Sequence, residues 1–425
     1  MDSNGEKRDC QSVPLDVLGS LPESVIDDIL ICLPLRDAVR TSMLSRKWRY
    51  KWCRISQLKL DDTLWETTKD MISPTVKFTN IIYHLLTFHA GPISKFILSI
   101  LDLRDCPEID KLVYFLSRNG IQHLDLRFFM YKQYKVPSSI FTCLQLRHLS
   151  LESCSIQLAP PDFKGFDRLI SLKLCRVVIS SKILESLISN CPLLEQLLLH
   201  NNAYIGVIEI NAPMLRSFDC IESTGLICLK SVSHLAKLTL RLRHRKYHVG
   251  TGNFFESVSA LEYLQLNAFG LKFLVAVAGE VPTRLPFDVN CVKHLCLVGI
   301  NLDQLDVISC FLCLIRSFLY LQYFEIQVLD KDDDIPALEC LELEAFSDVT
   351  FNHLREVKLT RTIGSDPEMQ LIKILLAKSP VLERMLIEPL IAGEHAGKTT
   401  KIPVVLNSFR RASPEVQVVY RYYGD

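Results

Sequence analysis

The stretch "SSKILESLISNCPLLEQL", residues 180–197, carries two kinds of order in succession. Ile183, Leu184, Leu187 and Ile188 fall on one helical face, and Cys191-Pro192 closes that helix. The chain then reads Leu194-x-x-Leu197-x-Leu199. The last two leucines are two apart, as on a short strand that turns one face to a core. A single helix and strand of this size cannot bury their apolar faces alone, so the stretch needs neighbours built the same way.

Those neighbours are legible on both sides. The phrase apolar-x-x-apolar-x-apolar occurs at Leu98-Leu101-Leu103, Ile121-Leu124-Leu126, Leu146-Leu149-Leu151 and Leu169-Leu172-Leu174. The starts lie 23, 25, 23 and 25 residues apart up to Leu194, the period of a leucine-rich repeat. Later copies are Leu215-Phe218-Cys220, Leu235-Leu238-Leu240, Leu261-Leu264-Leu266, Val292-Leu295-Leu297 and Leu321-Phe324-Ile326, spaced less evenly. The expected fold class is α/β, with residues 98–330 a curved solenoid of short parallel strands whose core comes from stacking. Residues between the apolar ones are expected to face outward and to hold a binding partner: Gln122, His123 and Asp125, then Arg147, His148 and Ser150, then Ser171 and Lys173. A merely wet sheet face is the alternative for them. Cys106, Cys154 and Asn202 stand three residues after a phrase, where a small polar side chain can satisfy turn backbone groups.

Composition narrows the function. The chain has 425 residues with 48 bases and 48 acids, a balance that argues against a polyanion as the main partner, nucleic acid included. The start "MDSNGEKRDCQS" is polar and no apolar signal segment follows it. With fifteen scattered cysteines, an odd number, reduced thiols and a cytoplasmic or nuclear location are expected. The apolar run from Val307 to Phe324 has Arg316 at its middle, so a buried helix running into a strand is expected, not a membrane span. Cys310 and Cys313 form a lone CxxC without a second pair and read as core. His84 and His89 lack a third ligand, His244 and His248 read as part of a basic loop, and "DKDDD" at 330–334 reads as an exposed hinge. No Gly-rich phosphate loop, zinc cluster or nucleophile motif stands in the sequence. No metal, no cofactor and no enzymatic activity are expected.

The N-terminal region is organised differently. Ser20 and Glu23 have capping-box spacing around Pro22; Ile26, Ile29, Leu30 and Leu33 form one helical stripe. A second short helix fits Leu35 to Thr41, with Ala38 and Val39 inward. Ser45 can cap a third, with Trp48, Trp52 and Ile55 along one side. The basic residues of "SRKWRYKW", residues 45–52, mostly take its other faces. Residues 58–97 read as a helical linker, with a helix in "PTVKFTNIIYHLLTFHAG".

The stretch Leu21 to Trp52 resembles an F-box: Leu21-Pro22, Ile29-Leu30, Leu33-Pro34, Val39, "SMLSRKWR" and Trp52 match in register. The resemblance implies a three-helix module, over residues 15–57 after a flexible tail at 1–14, that binds a Skp-type adaptor and through it a cullin. It implies adaptor contacts at Leu21, Pro22, Ile26, Ile29, Leu33, Val39, Leu44 and Trp48, with internal packing as the alternative for each. Near the other end, "LREVKLT", "EMQLIKILLAKSPVLERMLIE" and "FRRASPEVQVVY" resemble the FBD region of a plant F-box/leucine-rich-repeat family. Residues 335–425 are therefore expected to form a mixed C-terminal cap on the solenoid. The implied function is substrate recognition in a Skp-cullin-F-box ubiquitin ligase, with an unidentified protein target on the repeats. A non-degradative scaffold and a small-molecule-dependent receptor are the rival readings.

Overall fold

Parallel strands stand where the apolar phrase recurs. The computed structural model describes residues 18–61, 74–101, 106–129, 133–157, 160–243, 255, 258–275, 281–286, 289–329, 348–390 and 402–421. They fall into two units, Met1–Ser153 and Cys154–Asp425.

The first unit runs α1 (Glu23–Cys32), α2 (Leu35–Arg40), β1 (Gln57–Asp61), α3 (Pro74–Phe88), β2 (Lys95–Leu101), α4 (Glu108–Arg118), β3 (His123–Phe129), β4 (Tyr134–Lys135) and β5 (His148–Glu152). Strands β1, β2, β3 and β5 pair in parallel in that order. Leu58, Phe96, Leu124 and Leu149 share one register row, and Leu60, Leu98, Leu126 and Leu151 the next. All eight are buried.

This register corrects two readings. The copy placed at Leu98-Leu101-Leu103 is really Ile93-Phe96-Leu98, because "FILSIL" is so densely apolar that periodicity alone does not choose its frame. A still earlier copy, Ile55-Leu58-Leu60, starts the sheet. The linker at 58–97 thus holds the expected helix, α3, between two sheet strands. Cys106 consequently has no repeat-corner position; its thiol donates to the Glu108 carboxylate at the start of α4.

The N-terminal module forms its first two helices as expected, but not the third. Residues 46–50 are turns, and only a short 3-10 segment, Lys51–Arg54, follows. Tyr50 has φ of 64°, a left-handed conformation that no α-helix continues through. The N-cap of α1 is Pro22, not Ser20.

The second unit contains β6 (Cys154–Ile156), β7 (Ser171–Cys175), β8 (Val178–Ile179), α5 (Ser181–Ser189), β9 (Gln196–His200), β10 (Ala203–Ile210), β11 (Ser217–Ile221), β12 (Thr224–Leu229), β13 (Lys237–Arg241), β14 (Tyr263–Asn267), α6 (Ala268–Val275), β15 (His294–Ile300), α7 (Leu305–Ser317), β16 (Tyr323–Val328), β17 (Glu356–Thr362), α8 (Asp366–Lys378), β18 (Arg384–Pro389), α9 (Ile402–Leu406) and β19 (Gln417–Tyr420). Its main sheet is parallel, in the order β7-β9-β11-β13-β14-β15-β16-β17-β18-β19. Leu197, Phe218, Leu238, Leu264, Leu295, Phe324, Val357 and Met385 form one buried row. A smaller parallel sheet orders β12-β10-β8-β6.

The Val307–Phe324 run is α7 leading to β16, as expected, and no helix among the described residues is long and apolar enough to cross a membrane. The C-terminal region departs from a separate cap. Among its described residues, β17, β18 and β19 extend the same parallel sheet, with α8 and α9 between successive strands, because Leu354-Val357-Leu359 and Leu382-Met385-Ile387 repeat the core phrase in register. Helix α8 carries a complete capping box between Ser365 and Glu368. The phrase at Leu338-Leu341-Leu343 and the "DKDDD" run lie outside the described residues, and β16 pairs directly with β17.

One corner recurs. Two residues past the last apolar position the backbone is left-handed, at Ser153, Arg176, Asn201, Glu222, Gly299 and Arg361, with φ between 50° and 64°. The following residue points inward: Cys154, Val177, Asn202, Ser223, Ile300 and Thr362 are all buried. At Asn202 the polar corner works as expected. Val177 N donates to its Oδ1 at 2.7 Å, and its Nδ2 donates to Leu174 O at 2.8 Å. One repeat later, Asn202 N donates to Ser223 Oγ at 3.3 Å, and Ser223 Oγ donates to Leu199 O at 3.2 Å.

Candidate functional site

The N-terminal module splits the eight adaptor candidates by burial. Ile26 and Trp48 are fully buried and serve the module's own core together with Leu30 and Ala38. Leu21, Ile29 and Leu33 are half-buried, and Pro22, Val39 and Leu44 are exposed. Val39 therefore does not point inward with Ala38. The most accessible apolar groups are Met43 at 81%, Tyr50 at 60% and Leu44 at 58% exposure. Met43 and Tyr50 escaped the sequence reading, since both fall outside its helical stripes.

The basic run now divides into tasks. Lys47 Nζ donates to Leu21 O at 3.2 Å, and Lys51 pairs with Glu23, which together tie the 45–54 turn to the start of α1. The Lys51 hydrogen bond holds the Glu23 carboxyl below its ordinary pKa. Arg46, Arg49 and Arg54 stay exposed.

On the first unit's sheet, register brings the outward candidates together. His123 and His148 are partners with ring centroids 4.3 Å apart, and Asp125 sits opposite Ser150. Burial, with Lys95 and Arg147 nearby, pushes the His123 pKa down. Asp125 Oδ2 accepts from Arg127 Nη2 at 2.6 Å. Gln122 and Arg147 are exposed. In the second unit Lys173 is exposed, but Ser171 is only 2% accessible. Its side chain is short, and its register partner Gln196 is the exposed member of the pair, so Ser171 offers no binding group.

The richest outward surface in the second unit was not singled out. Tyr263, His294 and Tyr323 adjoin on β14, β15 and β16, with ring centroids 4.7 Å and 5.7 Å apart. Lys237 Nζ lies 5.5 Å from the Tyr263 ring and 3.7 Å from Asp219. In the next row, Lys358 Nζ lies between Glu325 (3.6 Å) and Glu388 (3.4 Å). The same between-the-apolars rule that selected Gln122 and His123 identifies these residues when carried past the third copy.

This surface suits recognition better than chemistry. Its thiol, Cys296, is pushed up to about 12 by burial and by Glu325, so it is not a ready nucleophile. Cys310 and Cys313 are buried in α7, with burial raising them to about 12 and about 11. Among the described residues no group of three His, Cys, Asp or Glu could hold a metal. His244 and His248 lie outside those residues.

Comparison with known proteins adds three findings. Residues 18–59 match the family model described as the F-box domain, and residues 109–326 match the one described as the LRR repeats of FBD-associated F-box protein At5g56370. The F-box/FBD/LRR-repeat protein At1g13570 of Arabidopsis thaliana is 32% identical over 422 residues, spanning 95% of this chain and 98% of that protein. From the same plant, F-box/LRR-repeat protein At4g14096 is 28% identical over 400 residues, spanning 88% of this chain and 74% of that protein. F-box/LRR-repeat protein 13 is 33% identical over 237 residues, spanning 51% and 49%.

Proposed function

Because the chain belongs to the plant F-box/FBD/LRR-repeat family, whose members are non-catalytic adaptor subunits, we propose that it is the substrate-recognition subunit of a Skp-cullin-F-box ubiquitin ligase. The F-box holds a Skp-type adaptor, and through it a cullin. The outward sheet faces hold a protein target, first at Gln122, His123, Asp125, Arg147, His148, Ser150 and Lys173, and also at Tyr263, His294 and Tyr323. On this reading the stacked repeats curve, through the small rotation that each repeat adds to the next. A cytosolic or nuclear location goes with this reading, and the thirteen free cysteines among the described residues support it.

One observation carries the proposal. The F-box keeps Pro22, Val39, Met43 and Leu44 exposed while burying Ile26, Leu30, Ala38 and Trp48. A module this small that leaves apolar side chains outside its finished core is suited to a partner. The test uses Leu44→Asp in the full-length chain, since an exposed position can take a charge without breaking the core. Adaptor should no longer co-purify, the target should still bind, and in a cycloheximide chase the target should decay more slowly than with wild type. Unchanged adaptor capture by both Leu44→Asp and Val39→Asp would refute the adaptor surface. Lost adaptor capture with unchanged target half-life would favour the scaffold reading.

A further inference from the structure

Where the F-box passes into the sheet, the outward residues of β1 and β2 meet the corner between α1 and α2 around a pocket of about 350 Å³. Leu30, Leu33 and Leu35 wall it from the corner and Ile97 from β2. Its charged lining is Lys59 and Asp61 of β1 and Lys95 of β2. We propose that this pocket binds a small organic acid, with an apolar body against the α1–α2 corner and its carboxylate on the Lys95 ammonium. Such binding requires neither adaptor nor target and is independent of the ligase reading.

The pocket's charges do not cancel. Lys59 Nζ lies 2.6 Å from Asp61 Oδ2, so those two neutralise each other. Lys95 is half-buried, and among the described residues its ammonium has no carboxylate partner. Its register row runs Gln57, Lys95, His123, His148 and contains no acid. The field of Lys95 reaches along that row: after burial, it and Arg147 are what push the His123 pKa down. An ammonium partly withdrawn from water without a counter-ion is one half of an ion pair. Size and walls narrow the other half. Small-molecule pockets run from about 300 to 1,000 Å³ and are mostly apolar, with a few placed polar groups. This one lies at the lower end, and one unneutralised cation among hydrocarbon walls matches a single carboxylate on an apolar body. A nucleotide would bring several charges to that one cation. Because the α1–α2 corner and the first two strands both supply walls, a bound acid ties the F-box to the sheet.

The test uses the purified full-length chain and two matched pairs of probes, hexanoate with hexanamide and phenylacetate with phenylacetamide. Cys32 is exposed and lines the pocket, so the alkylation rate of its thiol, read by mass spectrometry of its peptide, reports occupancy. At least one acid should slow that alkylation and raise the thermal midpoint. Its amide should bind about tenfold more weakly, since it forfeits the charge-assisted bond to the ammonium. Lys95→Met keeps the apolar stem and should erase the preference for the acid. Lys111→Met, on an exposed face of α4 away from the pocket, should leave it within about twofold. If Lys95→Met does not fold, Asp61→Asn decides: it frees the Lys59 charge, so it should strengthen acid binding and leave the amide unchanged. Equal binding of acid and amide by the wild type would mean that the Lys95 ammonium is merely hydrated, and would overturn the proposal. An acid preference that survives Lys95→Met, or is unmoved by Asp61→Asn, overturns it too, as does Cys32 alkylation that no probe slows. An apolar pentapeptide, with free and with amidated C-terminus, is the last arm. Should its free acid protect Cys32 while both small acids fail, the site takes a chain terminus and the small-acid assignment falls.

Discussion

Asn202→Ala should be among the costliest polar substitutions in the second unit. The side chain is buried and serves two backbone groups of the preceding repeat, Val177 N at 2.7 Å and Leu174 O at 2.8 Å. Alanine fills neither role, and Leu174, Val177 and the neighbouring Ser223 are all buried. Leaving a buried donor or acceptor unmet costs about 1–3 kcal/mol, so two together predict a loss of about 2–6 kcal/mol. Ser223→Ala breaks longer bonds, 3.2 Å and 3.3 Å, and should cost visibly less. Denaturant unfolding of the full-length chain gives the ranking, read from midpoints because a repeat stack need not unfold in two states. Amide hydrogen exchange supplies the local reading: Val177 should lose protection in Asn202→Ala, and Asn202 should lose it in Ser223→Ala. A shift under about 0.5 kcal/mol with Val177 still protected would refute the view that side chains at this corner hold successive repeats together.

Two further outcomes follow from the same geometry. Glu222→Gly should raise the unfolding midpoint by the equivalent of about 0.5–1 kcal/mol, since relief of a left-handed non-glycine residue outweighs the extra freedom glycine gives the unfolded chain; a lowered midpoint would mean the Glu222 side chain matters more than its backbone. Burial lowers the pKa of His294 against a smaller opposing pull from Glu325, so the folded state favours the neutral ring: its contribution is complete above the ordinary value of about 6.5 and is lost as pH falls below it. Thermal midpoints should drop from pH 7 toward pH 5, and His294→Gln should flatten that drop; an equal slope in the variant would remove His294 as a cause.

The parallel sheet was legible because its inward positions are dictated twice, by strand alternation and by repetition from coil to coil. Leu197, Leu264 and Phe324 could be placed in one row without coordinates for that reason. Legibility failed where one of the two constraints slackened. In "FILSIL" the alternation is masked by apolar residues on both faces, and only pairing with β3 fixes the frame. In "SRKWRYKW" the positions of Trp48, Trp52 and Ile55 suit a helix, but Tyr50 turns left-handed, and neither glycine nor asparagine marks the turn. The recurring corner was equally hidden: of its six left-handed residues, Gly299 and Asn201 are types that favour the conformation, while Ser153, Arg176, Glu222 and Arg361 adopt it because the strand before and the buried residue after leave no other path.

The candidate sites were legible to a different depth, and the reason is arithmetic of demand. A sequence pattern identifies which side chains are apolar, not which of them remain after the core is full. In the F-box, Ile26 and Trp48 look as suitable for an adaptor as Leu44, yet the module's own packing consumes the first two and leaves the third outside. On the sheet the problem reverses. Outward positions are free of core demand, so Tyr263, His294 and Tyr323 are each only one residue between two apolar neighbours, separated along the chain by 31 and 29 positions. Register alone makes them a row. Register also explains why the F-box cannot be treated as a detachable adaptor clip. Ile55 closes the helical module and opens the first repeat phrase, and β1 begins two residues later. A cut at Asp61 would strip β1 from the sheet and leave β2 as a bare apolar edge. Adaptor capture and repeat integrity therefore share one short segment, and the two tasks are separable only by exposed point substitutions such as Leu44→Asp.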